Sequence, residues 1–83
     1  MAIDYRRLRT LTARRIVNAL LREGFVLDRQ TGSHRHYFHP DGRRVTVTFH
    51  HPGQTFASKT LNAMIELQAR WNEVDLRRLK LMK

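Results

Sequence analysis

Ala13, Ile16, Val17, Leu20 and Leu21 recur at helical spacing, with Arg14, Arg15, Asn18 and Arg22 between them. One apolar stripe therefore faces a core and the remaining side faces water. Thr12 offers a hydroxyl N-cap and Gly24 a left-handed end, which predicts a helix over residues 12–23. The period then drops to two. Phe25 and Leu27 share one side of a short strand over residues 25–30. His34, His36 and Phe38 alternate with Arg35, Tyr37 and His39. After Pro40-Asp41-Gly42, Val45, Val47 and Phe49 alternate with Arg44, Thr46 and Thr48. Proline presets its own backbone angle and glycine accepts a positive one, so that trio turns the chain and the two runs pair as a hairpin. With Tyr37 inside, Val47 and Leu27 accompany it, and His34 and Phe38 lie on the open face.

His50-His51-Pro52-Gly53 reads as a loop. A second helix opens near Ser58, with Leu61, Met64, Ile65 and Gln68 on one stripe that Leu67 and Trp71 widen. Asn72 followed by Asp75 resembles a capping box, and Leu76, Leu79 and Met82 form a small stripe behind it. Before the first helix, Tyr5, Leu8 and Leu11 are free to dock, while Arg6, Arg7 and Arg9 make the start basic. The order is helix, three strands, helix and a helical tail. This predicts an α+β fold in which a three-stranded antiparallel sheet buries one face under helices. We expect a single domain: a basic arm over residues 1–11, a body over 12–71 and a short C-terminal helix over 72–83.

Composition narrows the picture. A chain of 83 residues that is 41% hydrophobic can close one core. It has no cysteine, hence no disulfide framework and no zinc ribbon. No apolar run reaches membrane-spanning length and no signal peptide is evident, so a cytoplasmic protein without a membrane partner is expected. The net charge of +9, mostly from arginine, points to a polyanion or an acidic protein as partner.

Five histidines raise the question of a metal. His34 and His36 lie two apart on a strand, on one face. Yet the nearby carboxylates are only Asp28 and Asp41, and no structural-zinc spacing is present. Neither a metal nor any other cofactor is therefore expected. Imidazole also titrates near neutrality, which suits it to moving protons. RNA scission asks for little more: a base takes the 2′-hydroxyl proton, and cations stabilise the charged phosphorane.

Gly32-Ser33-His34, Pro40-Asp41-Gly42-Arg43-Arg44-Val45-Thr46-Val47, Glu23-Gly24-Phe25, Arg29-Gln30-Thr31 and Lys59-Thr60-Leu61 together resemble the HicA toxin family of toxin–antitoxin systems. The resemblance covers roughly residues 12–71. It implies a double-stranded-RNA-binding-domain-like α-β-β-β-α fold and a metal-independent mRNA interferase, neutralised by a HicB-type antitoxin that covers the active site. It places the catalytic role on His34. In that frame Gly32 presents the histidine and Ser33 bonds a phosphate or caps the turn. Arg29, Arg35, Arg43 and Arg44 hold RNA phosphates, and Phe38 with His36 faces a partner. Two other readings stay open: a module of the same fold that binds RNA without cutting it, and an interaction domain for an acidic protein.

Overall fold

The structure, a computed structural model, describes residues 3–82. Helix α1 runs Ala13–Glu23. The Thr12 hydroxyl accepts from the Arg15 amide at 3.3 Å, and Gly24 closes the helix at φ 107°. That conformation favours glycine, and a Cβ there would also lie 3.2 Å from His39 Nε2. Phe25 follows at once and is buried.

Strands β1 (Val26–Thr31), β2 (His34–Phe38) and β3 (Arg44–Thr48) form an antiparallel sheet in the order β1-β2-β3. Tyr37, Val45 and Val47 are buried on one face beneath the helices. Each such side chain contributes about 1.5–3 kcal/mol of burial. Helix α2 (Ser58–Asn62) continues without a break as a π-helix over Ala63–Gln68. Helix α3 (Glu73–Arg78) opens with the expected capping box, Asn72 and Asp75 each accepting from the other's amide.

Two apolar positions differ from expectation. Leu27 is 48% exposed. It stands on the edge strand, where the register shifts between Leu27 and Arg29 and every residue of β1 is exposed. Leu67 is 71% exposed. The wider π winding, with the Ala69 amide bonded to the Met64 carbonyl, leads the apolar stripe from Met64 and Ile65 to Ala69 and Trp71. Leu67 is left in solvent.

The same winding sets Gln68 against the other sheet edge, where its Oε1 accepts from the Thr46 amide at 2.9 Å. One edge of the sheet is thus guarded by a side chain, and the other presents six exposed residues.

The flanking segments join the same core. Residues Tyr5–Leu8 form a 3₁₀ turn capped by Asp4. Leu8 and Leu11 are buried, and the Tyr5 hydroxyl bonds the Glu66 carboxylate. At the other end Leu76, Leu79 and Leu81 are buried. Two arginines of α1 hold the tail's backbone: Arg22 donates to the Leu79 carbonyl at 2.7 Å, and Arg15 to that of Lys80 at 2.8 Å.

Candidate functional site

Thr31 and His34 pair across a two-residue connection, Gly32-Ser33. Gly32 takes φ 59°, as the first position of a type II′ hairpin turn requires. A Cβ at Gly32 would meet nothing within 4 Å of the chain, so backbone conformation, and not crowding within the protein, calls for glycine here. The Ser33 carbonyl accepts from the Phe49 amide at 2.7 Å, which extends the β2–β3 ladder past β3 and ties down the turn. His34, the next residue, is exposed. It stands opposite Thr31 of β1 and Thr48 of β3 on the sheet face away from the core.

Further along that face the register brings together Arg29, His36 and Thr46, then Val26, Phe38 and Arg44. His36 Nδ1 and the Thr46 hydroxyl share a hydrogen bond of 3.1 Å. Around them lies a shallow hollow of about 340 Å³ whose polar lining is Asp28, Arg29, His36, Arg44 and Thr46. The Arg44 guanidinium lies 4.7 Å from the Phe38 ring centre and 3.7 Å from the Asp28 carboxylate. Phe38 is thereby half-buried, and Arg44 remains largely in water. The tail does not cover this face; it lies along α1.

Two arginines expected beside His34 point elsewhere. The alternation that puts Tyr37 inside puts Arg35 inside too, opposite Val47. Its guanidinium stacks 3.8 Å over Phe49, and its Nε is buried without a hydrogen-bond partner. Arg43 shares the inward side of Val45 and Val47. It donates to the Ala69 carbonyl at 2.7 Å and to Asp41 at 2.8 Å, and lies 3.7 Å from Glu23. The outward-facing cations on the sheet face that carries His34 are Arg29 and Arg44.

Glu23 centres this second cluster. Arg78 bonds its carboxylate at 2.9 Å and the Trp71 indole donates at 3.2 Å. The Arg78 hydrogen bond holds the Glu23 carboxyl below the usual carboxylate range, against the opposing effect of burial. His39 completes the corner. Its Nε2 contacts the Glu23 carbonyl at 3.1 Å, its Nδ1 lies 3.1 Å from the Asp41 amide, and its ring meets Phe25 edge-on. His50 and His51 sit in the exposed loop after β3.

Thr31 and Thr48 receive no site role from the sequence, and Asp28 enters there only as a possible metal ligand, although the polar side of the β3 alternation held the signal for Thr48. Asp28 could not have been found that way, because the register shift beside it breaks the alternation. Among the described residues no three histidines or carboxylates lie close enough to hold a metal ion, and no helix is long and apolar enough to cross a membrane.

No curated protein matches the chain. Residues 13–69 match the family model described as HicA toxin of bacterial toxin-antitoxin, a span that includes the Gly32-Ser33 turn, the open sheet face and α2 with its π extension. The match covers well over half of the sequence: the chain belongs to the HicA toxin family.

Proposed function

We propose that this chain is a metal-independent mRNA endoribonuclease, the toxin of a cytoplasmic toxin–antitoxin pair. The observation that carries the reading is the exposure of His34 at a rigid turn, on an uncovered sheet face that also holds Arg29, Arg44 and His36. A neutral His34 takes the proton of a 2′-hydroxyl. The 2′ oxygen then attacks the adjacent phosphorus, the bond from phosphorus to the 5′ oxygen breaks, and a 2′,3′-cyclic phosphate forms. The departing 5′ oxygen collects its proton from solvent, which the open face admits. Arg29 and Arg44 stabilise the charge that builds on the phosphorane oxygens. His36 stands two residues along the same strand, about 7 Å away by strand rise. Thr46 fixes its ring beside the path of the RNA.

A HicB-type antitoxin would neutralise the toxin by covering this face, with the half-buried Phe38 as its apolar anchor and acidic groups opposite Arg29 and Arg44. The test is cleavage of mRNA by the purified chain in chelator, set beside His34→Ala. The unaltered chain is expected to produce new ends bearing cyclic phosphate. The variant is expected to lose about 10²–10⁴-fold in rate while still binding RNA. Equal binding with no new ends from either protein would leave the RNA-binding module. No RNA binding at all would leave the protein-interaction domain.

A further inference from the structure

Most of the chain's positive charge lies away from the candidate site. Residues 26–49 carry four arginines and two aspartates, a net of two of the nine positive charges. Two of those arginines, Arg35 and Arg43, face inward. Of the other seven net charges, six belong to the arm, α1 and the tail. There a cleft of about 580 Å³ is lined by Arg7 from the 3₁₀ turn, Arg15 from α1, and Arg77, Lys80, Leu81 and Met82 from the tail.

Arg15 holds the Lys80 carbonyl at 2.8 Å, and Lys80 adopts a left-handed φ of 60°. Arg77 donates to Glu73 at 3.3 Å. Among the described residues no carboxylate forms an ion pair with Arg7, Arg15 or Lys80. Buried Leu81 and half-buried Met82 give the cleft an apolar floor. Arg7, Arg15 and Lys80 thus bring three positive charges to one cleft, and an entering anion relieves their mutual repulsion.

We propose that this cleft is a second phosphate site, which takes backbone phosphates of the RNA that is cut at His34. The proposal rests on the ribonuclease reading above. Arg7 and Arg15 are arginines, whose planar forks fit phosphate oxygens, and the apolar floor suits the face of a ribose or base. An acidic peptide would satisfy the charge but has less use for that floor. Of the lining residues only Arg15 falls within the 13–69 family match, so the cleft is built by the segments that flank the shared part of the fold. The molecule measures only 32 × 27 × 19 Å. A strand of about twenty nucleotides, at roughly 3.4 Å each when stacked, is long enough to touch both faces.

The experiment uses a fluorescent 20-nucleotide RNA methylated at every 2′ oxygen, which has no nucleophile and stays intact. Its anisotropy is followed against salt with the unaltered chain and with Arg7→Gln/Lys80→Gln. The double variant is expected to bind about tenfold more weakly. Its slope of log affinity against log salt should fall by about 1.4, two single-strand contacts at about 0.7 each. The charge-keeping Arg7→Lys/Lys80→Arg variant should bind as the unaltered chain does. Unchanged affinity and slope in the glutamine variant overturn the site. An equal loss in the charge-keeping variant overturns it too, since shape and not charge was then disturbed. So does a loss of poly-glutamate binding larger than the loss of RNA binding, which marks an acidic-protein surface. The probe reads no cleavage. A salt-slope drop in a chain whose RNA scission is indifferent to His34→Ala therefore supports this cleft while the ribonuclease reading falls alone.

Discussion

Arg43 and Arg44 are neighbours in the chain and do opposite things. Arg43 lies against Phe25, with its guanidinium 5.0 Å from the ring centre, and is fixed by Asp41, Glu23 and the Ala69 carbonyl. Arg44 leans on Phe38 at the other face, with 69% of its side chain in water and only a 3.7 Å approach to Asp28. The residue type is the same, and Arg43 directly precedes β3, which Arg44 opens; a single step along the extended chain separates a structural tie from a group available to a ligand. The same contrast divides the two histidine environments. His39 bridges the end of α1 to the hairpin turn, whereas His34 stands in solvent beside two threonines. Packing, not composition, decides which charges this small cationic fold can offer to a ligand.

The contrast breaks most severely at its buried end. Arg43→Ala removes the bonds to Ala69 and Asp41 and one cation beside Glu23, and is expected to cost about 2–3 kcal/mol. At this chain length that lowers the melting temperature by roughly 10–20 °C. Calorimetry reads the loss, and the salt dependence of RNA binding should not change.

Glu23→Gln comes next, at about 1–2 kcal/mol, and it carries a pH signature. The folded carboxyl holds its proton less readily than the ordinary value of 4.5, because Arg78 bonds the carboxylate. The stabilisation is therefore complete above that unfolded value and is lost as pH falls through the lower folded one. Melting temperatures taken between about pH 6 and about pH 3 should fall more steeply for the unaltered chain than for the variant at that site. Parallel curves would exclude Glu23 as the group responsible.

Gly32→Ala forces a side chain into the left-handed region and should cost about 1 kcal/mol. Because no atom crowds that position, Gly32→Asn should recover part of the loss, as asparagine tolerates such angles. Denaturant midpoints distinguish the two. Arg44→Ala sits at the mild end. Stability should change by less than about 0.5 kcal/mol. RNA affinity should drop, with the single-strand salt slope reduced by about 0.7. A stability loss as large as that of Arg43→Ala would erase the comparison.

Much of this arrangement was legible in the residue order. The period-two runs fixed which strand residues share a face, and Thr12, Gly24 and the Asn72/Asp75 pair marked their helix ends. Applied consistently, that alternation also sends Arg35 and Arg43 inward with Tyr37 and Val45; weight given to their charge led to the opposite expectation. The exposure of Leu27 and Leu67 was not legible. The first depends on an edge position and a register shift, the second on a π winding that no side-chain spacing announces. The cleft of the arm and tail was equally hidden, since it arises only when residues about seventy positions apart come together.

The unequal edges of the sheet have a consequence for self-association. Gln68 occupies the hydrogen-bonding line of β3, while β1 presents an unshielded line of six residues. Molecules that join edge to edge can therefore do so only through β1 of each. Such a union leaves two guarded borders outward and no template for a third copy. Association of the folded chain through β1 is therefore expected to stop at a pair.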